Sequence, residues 1–196
     1  MKILICLLTL SAVFAGCANR PIPGPGIETL SESQYEDQIE PYTQRTQKYE
    51  GIMNVLTFSA TLLNTKVMQA QLMQKARLYQ WDASTLSSET QKANEDMSKN
   101  AQIFVSFYTP ERKHDDLHKN KTLWKIFLDV DGHRYEGHAT KIKLLTNEVQ
   151  ALYPDHNRFS TPYMLSFPIS IKSIDGKSVR LTITGTVASA SVDFPP

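Results

Sequence analysis

Ile52-Met53-Asn54-Val55-Leu56-Thr57-Phe58-Ser59-Ala60-Thr61-Leu62-Leu63, residues 52–63, alternates with a period of two. Leu56, Phe58, Ala60 and Leu62 fall on one face, and Val55, Thr57, Ser59 and Thr61 on the other. These are residue types that favour a pleated, half-buried surface, so the stretch predicts a long strand. Directly after it the period changes. Over Thr65 to Tyr79, Met68, Leu72, Ala76 and Tyr79 form one stripe, with Val67 and Met73 beside it and polar residues filling the remainder. That is the pattern of an amphipathic helix.

Asp82 to Ser88 carries stop and restart signals. Ser88 and Gln91 have capping-box spacing, and Glu89 suits a helix N-terminus, so the spacing predicts a second, polar helix to about Asn100. Its apolar residues are few (Leu86, Ala93 and Met97), and it is expected to cover the first helix from the solvent side.

Strand patterns dominate after residue 100. Ile103 to Tyr108 is aromatic and β-branched and ends at Thr109-Pro110; a charged loop, Glu111 to Lys121, follows. Leu123 to Val130 and His133 to about Leu144 read as a hairpin around Asp131-Gly132, a pair that supplies the positive φ of a type I′ turn. Tyr163 to Ile174 and Lys177 to Val187 read as a second hairpin around Asp175-Gly176. Pro162 and Pro168 are expected to hold its first strand at an edge or a bulge. At least six strands follow, with no strand–helix alternation. The expectation is a mainly β domain: a β-sandwich of immunoglobulin-like outline with a helical pair inserted at about 65–100. An α+β two-layer arrangement is the alternative.

Upstream of residue 52 the chain is polar. Ser31 to Lys48 reads as irregular, with a short helix before Pro41. Asn19 to Gly26, Asn-Arg-Pro-Ile-Pro-Gly-Pro-Gly, continues neither a helix nor a ladder and reads as a semi-extended spacer. Residues 17–33 at ~3.1 Å each would reach ~50 Å. Residues 1–16 combine a basic start at Lys2, an apolar run from Ile3 to Phe14 and the small residues Ala15-Gly16, the layout of an export signal. The run is about a dozen residues, short of the ~20 that a spanning helix needs. Phe14-Ala15-Gly16-Cys17 resembles the bacterial lipobox, with Phe14 where Leu is usual. That resemblance implies a diacylglyceryl thioether on Cys17, a cut before it, and a membrane partner reached through the lipid. Several acyl chains are needed for lasting attachment, since one binds only reversibly. The chain is thus divided into a signal peptide (1–16), a lipidated Pro/Gly-rich tether (17–33) and a single β-rich domain (34–196). Ala18 is not the Asp that retains lipoproteins in the inner membrane of enteric bacteria. The expected place is therefore the cell envelope, at the outer membrane facing the periplasm.

Loss of Lys2 with the signal leaves 20 basic residues against 20 acidic ones. Nothing in that balance points to nucleic acid. Cys6 would leave with the signal and Cys17 would be acylated. The two cysteines therefore supply no disulfide, thiolate metal site or cysteine nucleophile to the folded domain.

The one segment with catalytic spacing is His114-Asp115-Asp116-Leu117-His118, which has the spacing of the zincin His-Glu-x-x-His with Asp for Glu. It lies in a polar loop without the apolar face of a buried helix, so a solvated loop is the plainer reading. A looser divalent-metal site would draw on His114, Asp116, His118, His133 and His138. His133 and His138 are five apart and would point to opposite faces of an unbroken strand. Asp129-Val130-Asp131-Gly132 resembles the start of a calcium loop, but the later acidic ligands are missing and the hairpin turn explains it. Trp81, Trp124, Tyr153, Tyr163 and Phe167 would line a cleft or, as aromatics in such folds more often do, fill the core. There is no Gly-x-Ser-x-Gly, no phosphate-cradling Gly-rich loop and no cofactor motif.

Phe58 to Leu63, Ala76-Arg77-Leu78-Tyr79, Phe107-Tyr108-Thr109-Pro110, Asp116-Leu117, Leu123-Trp124-Lys125 and Tyr163 to Pro168 resemble a family of Gram-negative lipoproteins to which no activity is attached. The resemblance implies a lipid-anchored envelope domain and transfers no functional residue. The leading expectation is a non-enzymatic binding or structural module with an envelope protein or glycan as partner. A metal-dependent hydrolase using the His114–His138 region is the alternative.

Overall fold

The computed structural model describes residues 27 and 29–196. The signal, Cys17 and most of the tether lie outside the described residues.

The chain is mainly β, with two antiparallel sheets and four α-helices. The first helix, α1 (Glu32–Ile39), starts inside the stretch assigned to the tether. Ser31 Oγ accepts from the Gln34 backbone N–H at 3.2 Å, and the Gln34 side chain accepts from the Ser31 N–H at 2.9 Å. This reciprocal cap satisfies two of the free donors of the first turn. Tyr35 and Ile39 anchor the helix. A 3-10 turn through Pro41 leads into β1 (Thr43–Glu50), a strand the sequence reading takes for irregular chain. Its side chains are mostly polar because it is an edge strand with little to bury.

Gly51, at φ +60°, turns the chain into β2 (Met53–Leu62), which coincides with the quoted alternation. α2 (Thr65–Tyr79) has the predicted bounds, with Asn64 Oδ1 accepting from the Val67 N–H at 2.9 Å. α3 (Ala83–Lys99) begins earlier than the Ser88 spacing predicts. Asp82 caps it through Thr85 N–H at 2.7 Å, and Ser88 lies inside the helix. None of its residues is fully buried; Met97 near its end packs on the core.

β3 (Ala101–Tyr108) is buried on both faces. β4 (Trp124–Val130) and β5 (His133–Glu136) form the predicted hairpin, with positive φ at both Asp131 and Gly132. The return strand does not continue to Leu144. It breaks at Gly137, and β6 (His138–Lys141) joins the other sheet. Only glycine fits at that crossing, because a Cβ there would lie 2.4 Å from Phe167 Cε1.

α4 (Thr146–Leu152) follows, then β7 (Thr161–Phe167), β8 (Val179–Gly185) and β9 (Ser189–Phe194). The expected hairpin around Asp175-Gly176 does not form: β7 and β8 belong to different sheets, and β8 pairs with β9 instead. Nor is β7 an edge strand. It lies between β3 and β6, and Pro162 sits where the β6 ladder ends, its carbonyl accepting from Ile142 N–H at 2.9 Å.

The five-stranded sheet runs β1-β2-β3-β7-β6 and the four-stranded sheet β5-β4-β8-β9. One apolar cluster draws on both, with Phe58, Phe107 and Leu165 from the first and Leu128, Leu181 and Val192 from the second. A second cluster lies on the opposite face of β3. There Phe104 meets Tyr35, Ile39, Val67, Val149 and Tyr153. Helices therefore cover the other face of the five-stranded sheet, the feature an α+β reading expects. The outer face of the four-stranded sheet is solvated and self-paired, by Arg134 with Asp129 at 2.7 Å and Arg180 with Asp193 at 2.6 Å.

Candidate functional site

The His114–His118 segment is not a solvated loop. It begins in a 3-10 turn, Arg112–His114, and then dips into the molecule, so that Asp116 and Leu117 are buried. Leu117 packs into the cluster between the sheets. The polar groups around it are held in turn. Trp124 Nε1 donates to the His114 carbonyl at 2.7 Å, and Thr122 Oγ1 donates to Asp116 Oδ1 at 2.8 Å. Asp115 reaches across to β7: its Oδ2 accepts from Thr161 Oγ1 at 2.5 Å and its Oδ1 from the Tyr163 hydroxyl at 2.9 Å. His118 Nδ1 is 3.4 Å from the same hydroxyl.

Burial is the main cause that raises the Tyr163 pKa far above its ordinary value, and the Asp115 carboxylate adds to it. Tyr163 is therefore a neutral donor across the physiological range, and Asp115 Oδ1 accepts its hydrogen bond. The arrangement staples the loop over one end of the core. It places a carboxylate, a phenol and an imidazole in contact, but the first two are satisfied by one another.

The metal candidates do not gather. His114 is half-buried and faces Glu111 at 4.0 Å; Asp116 is engaged with Thr122. His118 and His138 are exposed, and His133 Nδ1 lies 3.1 Å from its neighbour's backbone, the Asp131 carbonyl. The interruption of the strand at Gly137 puts His133 and His138 on different sheets. Among the described residues no group of three or more His, Cys, Asp or Glu is placed to hold a metal ion. Of the five aromatics, Trp124, Tyr153, Tyr163 and Phe167 are core residues, and Trp81 is half-buried beside Tyr79.

The fifth histidine, His156, carries no sequence signal and is missed by spacing arguments. It is buried, and its Nδ1 lies 2.8 Å from Ser106 Oγ. The ring stands edge-on to Phe104, which stacks on Tyr153 at a centroid distance of 3.6 Å. Burial lowers the His156 pKa. A serine and an imidazole at hydrogen-bond distance are a nucleophile and a base in chemical type. Ser106 is fully buried in β3, however, so no substrate carbonyl reaches it.

A cleft of about 340 Å³ opens beside α1, lined by Glu36, Asp37, Glu40, Thr43, Asp155 and their neighbours. Arg45 pairs with two of the lining carboxylates, Glu40 at 3.0 Å and Asp155. Thr43 and Thr61 at its floor bond each other at 2.9 Å. The carboxylates are in part already neutralised by that arginine.

No family model, curated protein or solved structure matches this chain.

Proposed function

We propose that this chain is a lipid-anchored, non-enzymatic module of the bacterial envelope, its two sheets closed as a β-sandwich. It binds or scaffolds another envelope component from the outer membrane, facing the periplasm. The order of strands departs from the immunoglobulin pattern, ABED and CFG. The proposal therefore keeps two packed sheets and not that connectivity.

What supports the reading is how the chemistry-bearing side chains are used. Asp115, Asp116, Tyr163, Ser106 and His156 are buried or half-buried and bonded to one another or to the fold. They hold a loop and a helix layer in place. The Phe14-Ala15-Gly16-Cys17 stretch supplies the anchor.

The test is incorporation of labelled palmitate, with fractionation of the native chain and a Cys17→Ser variant. Label in the native protein and release of the serine variant from membranes support the anchor. A serine variant that stays with membranes, or a native chain without label, overturns it. Mild crosslinking of the anchored protein in the envelope then identifies its neighbour. Turnover of an added ester or peptide by the purified chain, lost on substitution of Ser106 or His114, would overturn the non-enzymatic half.

A further inference from the structure

The strand register places several distant loops at one end of the molecule. Thr57 pairs with Tyr108, the last residue of β3, and Phe107 pairs with Thr161, the first of β7. Lys141, the last of β6, pairs with Tyr163. Trp124 at the start of β4 packs edge-on to Phe107. The β1–β2 turn, the 109–123 loop, the 142–145 segment and the 157–160 loop therefore share one rim.

That rim carries unburied apolar side chains. Residues 47–53 are all exposed, and the hairpin runs four residues past the end of β3, about 13 Å at ~3.3 Å per residue. At its tip Ile52 is 97% exposed, beside Met53 and Tyr49. Across the rim stand Phe159 at 71%, Leu145 at 69%, and Leu144. No packing inside the fold accounts for an isoleucine at the tip of a turn.

The same rim is basic. Lys48, Arg112, Lys119, Lys121, Lys143 and Arg158 are exposed on these loops. Of the acids nearby, Asp115 and Asp116 are turned inward and Glu111 pairs with Lys113 at 2.6 Å; Glu50 is exposed on the hairpin, so the six basic side chains outnumber the exposed acids rather than standing alone. Arg158 lies over the Phe159 ring at 4.9 Å. Carboxylates collect instead in the cleft beside Thr43 and Thr61, a cross-strand pair at the opposite end of β2.

We infer that this rim seats on an anionic phospholipid surface, with Tyr49, Ile52 and Met53 entering the interface and the basic side chains meeting the headgroups. Apolar tips interleaved with Lys and Arg are the composition that binds such a surface. Fifteen residues, 17–31, lie between Cys17 and α1, and a chain of that length could span up to ~45 Å at ~3.1 Å per residue, more than the ~33 Å length of a ten-residue strand. The inference rests on the anchored reading for bringing the domain to a bilayer; its charge and apolar arguments stand on the rim alone.

The test uses the full chain purified from membranes. Mass spectrometry first reads lipid on Cys17. An Ile52→Trp variant is then placed in phosphatidylcholine vesicles with and without phosphatidylglycerol, a share of the lipid brominated on the acyl chain. The parent chain is subtracted to remove Trp81 and Trp124. The expected result is a blue shift and loss of tryptophan emission in the anionic vesicles, weakened by salt and by Lys119→Glu with Lys121→Glu and Lys143→Glu. Ile52→Asp with Met53→Asp is expected to lower affinity for added anionic vesicles about tenfold, with an unchanged melting temperature. Three results overturn the inference: no quenching in anionic vesicles, quenching indifferent to phosphatidylglycerol, or a blue shift that appears in detergent and grows with protein concentration. The last would assign the tip to a second copy. If the mass shows no lipid, vesicles are added to the unanchored chain, and quenching still decides the rim separately from the anchor.

Discussion

The Asp115 carboxylate accepts a hydrogen bond from the Tyr163 hydroxyl at 2.9 Å, across 48 positions of sequence. With Thr161 on its other oxygen, this one side chain pins the 111–121 loop to β7 and closes the end of the core. Replacing Asp115 by Ala removes the acceptor of Thr161 Oγ1 and leaves the phenol only the longer 3.3 Å contact to the backbone carbonyl of residue 115, so unfolding stability is expected to fall by about 1–3 kcal/mol. Tyr163→Phe keeps the ring and removes only the donor, at a cost of about 1 kcal/mol. Urea midpoints of the two variants and of the double variant check this. A double variant as unstable as the sum of the singles would show that the pair is not coupled.

Gly137 is expected to tolerate no side chain. A Cβ there overlaps the Phe167 ring, and the ring is fully buried. Gly137→Ala should destabilise by roughly 1–3 kcal/mol. Phe167→Leu in the same chain should recover part of the loss by making room. Thermal melts of the single and double variants decide it, and an unchanged melting temperature for Gly137→Ala would contradict the packing.

His156 makes stability depend on pH in a stated direction. Its folded pKa lies below the unfolded one, about 6.5, because burial disfavours the imidazolium. The unfolded chain therefore binds the proton first as pH falls. The contribution of the neutral ring is complete above about pH 6.5 and drains away through the window beneath it. The urea midpoint should drop on acidification through that window, and His156→Asn should flatten the drop. A nuclear magnetic resonance titration of His156 with its midpoint above about 6.5 would reverse the sign.

Zinc should not stabilise the chain. A folded-state site holding the metal at a hundred times its dissociation constant would add ~2.7 kcal/mol. His133 and His138 stand on separate sheets, and Asp116 is already bonded to Thr122. Melting temperatures with added zinc and with chelator are expected to coincide; a rise of several degrees with zinc would restore the hydrolase alternative.

The quoted alternation over 52–63 and the helical stripe over 65–79 reappear in the structure almost to the residue. The Asp131-Gly132 turn also forms, with positive φ at both positions. Elsewhere the local pattern misleads. β1 is polar because it is an edge, so its residues carry no apolar period. The pattern from His133 onward reads as one strand because alternation is blind to a change of sheet at Gly137. Asp175-Gly176 looks like a hairpin turn, yet the strands around it pair elsewhere. The Asp115–Tyr163 and Ser106–His156 bonds join residues 48 and 50 apart and leave no local mark.

By itself, the sequence determined what depends on neighbours along the chain: strand and helix periods, caps and the type I′ turn. Contacts between residues two to four apart set those features. Only the tertiary structure decided which strands share a sheet, which carboxylates are buried, and that basic and apolar side chains from four loops meet on one rim. Those outcomes follow from long-range pairing and from which surface is left facing water, and no window of sequence contains either.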